Sequence, residues 1–195
     1  MRAFLLLLPL LALGGPAQAG SSRSDDPELS WSGALPAADA ALHLAAVTVE
    51  LDPEILRPTA TRVGISPRRR AAIEAELADA LRRMVASALA ESGRRLVADP
   101  AGAEIRLEVR ASAVRLHPVA DDLATPMASY GRREASARIE LLGLSPIGER
   151  LFTLSGRLSS EDHGELRPQS ALHARRELLG LFGRFARLSG ERLRG

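Results

Sequence analysis

The chain has 195 residues, enough for one ordinary domain of roughly 100–200 residues and too short for two. Its 46% hydrophobic and 26% charged residues are average for a globular protein and exclude the disordered and collagen-like classes. The absence of cysteine excludes disulfides, thiolate nucleophiles, thiolate metal sites and a lipid-modified N-terminal cysteine. All 26 basic residues are arginine, set against 24 acids, so the pI near 10.2 reflects a group that does not titrate, not a strong field at neutral pH.

Residues 1–19 begin with Arg2, continue in an apolar run over 3–13 and end in Ala17-Gln18-Ala19, the layout of a cleavable secretory signal cut after Ala19. The apolar run is shorter than the about 20 residues a membrane-spanning helix needs, and no later segment approaches that length. A soluble periplasmic or secreted protein is expected, with no transmembrane segment in the mature chain. Gly20 stands where a lipoprotein would carry its cysteine, so no lipid anchor is expected. Residues 20–40 are rich in Ser, Asp, Pro and Gly around Trp31 and lack a period of 2 or 3.6, which reads as a flexible leader. Residues 41–195 are expected to form a single domain.

The domain opens with a strand over 42–51, apolar on both faces and therefore expected to be central. A loop over 52–65 follows, with Pro53, Pro58 and Gly64. Ser66-Pro67 supplies an N-cap and a first-turn proline, and Gly93 a terminator, so 67–92 reads as one long helix. Ile73, Leu77, Ala80, Leu81, Met84 and Ala88 form its apolar stripe. Residues 94–99 read as a short strand. Ile105, Leu107, Val109, Ala111 and Ala113 then alternate with polar residues, the pattern of a strand with one wet face. The 118–130 segment is a loop, 135–141 repeats the alternation, and a turn at 145–148 leads into 152–158 as a hairpin. Gly156 lacks a side chain on the apolar face, so a bulge or a close helix approach is expected there. A polar loop over 159–168 precedes a second helix, 169–194, with Ala171, Ala174, Leu178, Leu181, Phe182, Phe185 and Ala186 on one face. Gly180 and Gly183 each cost that helix about 1 kcal/mol. The order β-α-β-β-β-β-α predicts an α+β two-layer sandwich: a mostly antiparallel sheet of four or five strands with two long helices on one face.

Taken together, strand 44–51 with Asp52-Pro53 after it, helix 72–90, the Asp99-Pro100-Ala101-Gly102 turn into strand 105–113, the hairpin 139–154 with Gly148-Glu149 in its turn, and the closing helix 179–193 resemble the bacterial envelope family DUF3313. The resemblance covers residues 42–193. It implies an exported, envelope-associated protein without a catalytic site, and the sequence departs from the family in lacking the lipid-attachment cysteine. A similarity to small α+β accessory domains of envelope transport systems implies partner binding.

Sites for chemistry are sparse. His43, His117, His163 and His173 show no metal-ligand spacing, and His43 reads as a satisfied strand histidine. Ser159-Ser160-Glu161-Asp162-His163 holds all three triad residue types, but neighbours in one loop seldom form a triad, so Ser160 or His163 in a small hydrolase is the alternative reading. Asp121-Asp122 and Glu161-Asp162 lack the alternating acidic loop of a calcium site. No glycine-rich phosphate cradle is present. Arg68-Arg69-Arg70 sits at a helix start, where the macrodipole disfavours cations, and only 3% aromatic residues argue against nucleic acid. No catalytic, cofactor or metal residue is assigned. The expected function is binding of another envelope component, through an open sheet edge or the wet face of strand 104–115; a carrier of a small apolar ligand between helices and sheet is a further alternative.

Overall fold

A computed structural model describes residues 29–56, 65–116, 129–131, 135–160, 167–169 and 171–194. In chain order the elements are β1 (Leu29–Gly33), β2 (Leu42–Leu51), the short helix α1 (Pro53–Leu56), α2 (Pro67–Glu91), a 3-10 turn at Pro100–Gly102, β3 (Ile105–Arg115), β4 (Ser129–Gly131), β5 (Ser136–Leu144), β6 (Arg150–Ser159), β7 (Arg167–Gln169) and α3 (Ala171–Arg194). Five strands form one sheet in the order β1-β6-β5-β3-β2, and β4 pairs with β7 in a second, two-stranded sheet. All pairs of the main sheet are antiparallel except β2 with β3. That parallel pair is possible because α2 supplies the crossover a parallel connection requires. The α+β sandwich expected from the element order is the architecture observed.

Both helices follow from local rules. Ser66 Oγ accepts from the Arg69 N–H at 3.3 Å and Pro67 opens α2, which satisfies one orphan donor of the first turn. Leu77, Leu81, Val85 and Leu89 are its buried residues, a stripe at four-residue steps; Ile73, Met84 and Ala88 of the expected stripe are partly buried beside it. On α3, Ala174, Leu178, Leu181, Phe182, Phe185, Ala186 and Leu193 are buried. A Cβ added at Gly180 or Gly183 would meet nothing, whereas one at Gly190 would lie 2.7 Å from the Ala88 carbonyl. Gly190 is therefore the glycine that lets the two helices approach.

Several strand details differ from the sequence reading, each for a geometric reason. β2 lies at the edge of the sheet, not its centre. Its register slips between Leu44 and Ala46, so the core residues are Leu42 and Leu44 before the bulge and Val47, Val49 and Leu51 after it. A bulge reverses which face a residue occupies, and this is why both faces look apolar in a strict period of 2. The 94–99 segment forms only an isolated parallel bridge between Leu96 and Leu42. Four residues of the expected 52–65 loop form α1, and the expected loops over 118–130 and 159–168 contribute to β4 and β7. The register runs straight through Gly156, with no bulge there. The segment read as leader supplies β1, with Trp31 stacked on Phe152 at 4.8 Å and 15°.

A second bulge interrupts β3, where three steps from Ser112 to Arg115 oppose two on β5. Ala113 carries the irregularity at φ 49° and is exposed, and Val114 takes its place in the core. An L-residue in this left-handed conformation costs roughly 1 kcal/mol that glycine does not. Ala113→Gly is therefore expected to raise Tm by about 2–4 °C, read by thermal denaturation; an unchanged or lower Tm would show that this bulge is not strained.

Candidate functional site

Because the helices cover one face of the sheet, alternation sends the other half of the strand residues to the opposite face. On β3 these are Arg106, Glu108, Arg110 and Ser112; on β5, Arg138, Glu140 and Leu142; on β6, Thr153, Ser155 and Arg157. The register sets them in rows. Arg110 stands opposite Glu140, which stands opposite Ser155. Ser155 meets Ser30 of β1 through their hydroxyls at 3.2 Å. In the next row Ser112 stands opposite Arg138, and Arg138 directly opposite Arg157.

The charges on this face are unevenly satisfied. Arg110 donates to Glu108 Oε2 at 2.7 Å. Arg138 and Arg157 are both exposed, and neither has an ion-pair partner among the described residues. Like charges directly opposite across a strand pair repel, and two guanidiniums side by side present forked donors suited to a carboxylate or phosphate. Towards the other end of the face, Arg106 Nε and Thr153 Oγ1 are buried without hydrogen-bond partners.

Arg94 Nε, away from this face, is likewise buried without a partner, whereas buried Asp52 is committed to structure. Asp52, 6% exposed, caps α1 by accepting from the Glu54 N–H at 2.8 Å and is held by Arg115 Nε at 2.6 Å. The Glu54 amide first, and Arg115 second, hold its carboxyl below the usual carboxylate range, against the opposing effect of burial. A folded-state pKa below the unfolded value of about 3.9 contributes stability that is present above that pH and lost as pH falls through the folded value. Asp52→Asn is expected to cost about 1.5–3 kcal/mol at pH 7, with the gap to the parent narrowing below about pH 4. Urea midpoints at pH 7 and pH 3 check this, and a gap independent of pH would refute it.

Residues singled out in the sequence are dispersed. His43 Nδ1 lies 3.1 Å from the Val97 carbonyl, the satisfied strand histidine expected. His173 is half-buried on α3. Ser160 Oγ accepts from the Ala135 N–H at 3.0 Å, which ties this hydroxyl to a strand end. His117, His163, Asp121-Asp122 and Glu161-Asp162 lie outside the described residues. Of the Arg68-Arg69-Arg70 cluster, Arg70 pairs with Glu74 at 2.8 Å. Among the described residues no three His, Asp or Glu side chains gather as metal ligands. No helix among them is long and apolar enough to cross a membrane.

Fully buried Phe182, Phe185, Leu154 and Leu141 fill the layer between helices and sheet. Surface clefts among the described residues include two. One, of about 410 Å³, runs between the C-terminal halves of α2 and α3 past Ala88, Glu91, Gly190 and Arg194. The other, of about 450 Å³, lies at Trp31, Leu35 and Arg192. The Arg138–Arg157 opposition escaped the sequence reading because it depends on the β5–β6 register. The Ser145–Gly148 turn alone would have set the wrong register, because a bulge between Gly143 and Leu144 shifts the pairing by one residue beyond it.

No family model and no curated protein sequence matches the chain. Solved structures similar to it include a DUF330 family protein from Xanthomonas campestris, 11% identical with TM-score 0.46, covering 85% of this chain and 87% of that one. A PelC dodecamer from Paraburkholderia phytofirmans is 10% identical with TM-score 0.43, covering 82% of this chain and 95% of that one. A DUF4136 family protein from Bacteroides thetaiotaomicron is 10% identical with TM-score 0.34, covering 87% and 98%.

Proposed function

We propose that the protein is an exported, non-catalytic component of the bacterial envelope that binds an acidic partner on the open face of its sheet. The signal-like segment ending at Ala19 and the resemblance to DUF3313 support export and envelope residence. The observation that carries the binding reading is the pair Arg138 and Arg157, directly opposite on neighbouring strands, exposed, and without a counter-ion among the described residues. A carboxylate placed between two guanidiniums relieves their repulsion and gains charge-assisted hydrogen bonds, so an acidic segment is the chemistry this row fits.

The test is crosslinking in the living cell from a photoreactive residue at Ser155, beside the arginine pair, with envelope fractionation. The expected result is mature protein starting at Gly20 in the periplasmic or envelope fraction, with one dominant crosslinked envelope protein. The adduct should disappear in the Arg138→Glu/Arg157→Glu variant. A cytoplasmic chain, or an adduct indifferent to that charge reversal, would overturn the reading.

A further inference from the structure

Along the β2 edge the sheet leaves a short window of unpaired backbone between two guarded ends. The direction of each residue's backbone groups is fixed by two bonds. Asp52 N–H donates inward to the Val114 carbonyl at 2.9 Å, and Leu51 N–H donates outward to Glu74 Oε1 at 2.9 Å. Alternation then turns the N–H and C=O of Val47 and Val49 outward, and those of Thr48 and Glu50 towards β3. At the other end, Leu42 is bonded to the Arg95 carbonyl and the Val97 N–H, each at 2.9 Å. The Leu44 carbonyl accepts from Arg82 at 3.0 Å. Between these ends the four outward groups of Val47 and Val49 have no partner among the described residues.

We propose that this window is a self-association surface, in which β2 pairs antiparallel with β2 of a second copy about a two-fold axis through Thr48. In that register Val47 of each copy exchanges both backbone hydrogen bonds with Val49 of the other, so all four open groups on each edge are satisfied. An isologous interface of this kind closes as a dimer. The side chains fit the same axis. Glu74 sits at the Leu51 end and Arg82 at the Leu44 end, and antiparallel pairing brings Glu74 of each copy beside Arg82 of the other. Between them on the edgeward side of α2 lie Ala75 and Ala78, small enough to admit the second α2. The guards at Leu44 and Leu51 limit the pairing to this register and exclude a longer slipped ladder.

Thr48 is exposed on the face away from the helices, so it can be changed without touching the core. The chain has no cysteine, and a single introduced one reports only on the interface. Opposed residues of a non-hydrogen-bonded antiparallel pair have Cα atoms about 4.5 Å apart, within reach of a disulfide. The two copies of Glu50 would be about 13 Å apart along the strands, out of reach. The purified chain is expected to show a concentration-dependent dimer by sedimentation equilibrium. Thr48→Cys should become covalently dimeric under mild oxidation while Glu50→Cys does not. Thr48→Lys, which sets like charges face to face, should weaken the dimer about tenfold, with unchanged circular dichroism and, at concentrations where both proteins are monomeric, an unchanged Tm. A monomer at every concentration, equal crosslinking of the two cysteine variants, or full dimerisation of Thr48→Lys would each overturn the proposal. None of these readouts involves Arg138 or Arg157, so its failure is separate from failure of the acidic-partner reading.

Discussion

Substituting alanine for Gly143 is expected to destabilise the protein by about 3 kcal/mol, the upper range for overpacking a filled core, and to shift the emission of its one tryptophan to the red. Gly143 on β5 stands opposite Phe152 on β6, and a Cβ there would lie 2.2 Å from Phe152 Cε1 and 2.4 Å from Cζ. The ring uses the space a side chain would take, an aromatic covering a cross-strand glycine. It cannot swing aside, because Phe152 is 1% exposed and its other face stacks on Trp31. Displacing it therefore breaks the stacking that holds β1 to the sheet. β1 has little else to hold it: five residues paired on one side only, ending at Gly33, where φ is 96° and a Cβ would meet the Leu151 carbonyl at 2.2 Å. Tm should fall by about 6–12 °C. Gly148→Ala is the control, since its φ of 89° makes it strained but a Cβ there would meet nothing, so it should leave tryptophan emission unchanged. A Gly143→Ala protein with parental emission and stability would show that Phe152 repacks freely.

This cluster also shows where sequence reading stops. Local rules predicted α2 well because its cap, its first-turn proline and its stripe all act within a few residues. The hairpin of β5 and β6 was legible for the same reason. β1 was not, because Leu29, Trp31 and Gly33 look like leader until Phe152, over a hundred positions later, offers Trp31 a ring to stack on. The bulges at Ala45 and Ala113 were hidden because both are alanines, which suit either face. A period of 2 runs through them unbroken, while the paired strands show the slip. The candidate site suffered most, since its arginines look like ordinary wet-face residues until the register sets Arg138 against Arg157. Individual residue types were readable in the sequence; their adjacency across strands was not.

The second large effect is expected at Arg94, a charged residue only 6% exposed. Gly93, at φ 80°, ends α2 and turns the chain so that Arg94 N–H donates to the Leu89 carbonyl at 3.0 Å. The side chain is thereby aimed inward. Its guanidinium donates to the carbonyls of Pro36, at 3.2 Å, of Ala37 and of Leu193. One residue thus joins the end of α2, the last turn of α3 and the segment leading into β2. Burial lowers its pKa from the ordinary arginine value, opposed by the charge of Asp39, but arginine keeps its proton and offsets part of the burial cost through the hydrogen bonds of its two terminal nitrogens, Nε being buried without a partner. The Leu193 acceptor suits a cation, because unsatisfied carbonyls in the last turn of α3 form the negative end of its macrodipole. Arg94→Ala would leave the Pro36 and Leu193 carbonyls without a donor, the Ala37 carbonyl with only the Ala40 N–H, and a gap where the side chain ran, a loss of about 3–5 kcal/mol. Arg94→Lys should lose part of this, since a point charge cannot serve three separated acceptors as a planar fork does. Arg94→Met separates volume from hydrogen bonding by filling the space without donors. Because it leaves the same carbonyls without that donor, Arg94→Met is expected to lie near Arg94→Ala in urea denaturation. Stability equal to the parent in Arg94→Met would mean that burying the charge costs as much as its three bonds return, and that Arg94 holds the two helix ends together by volume alone.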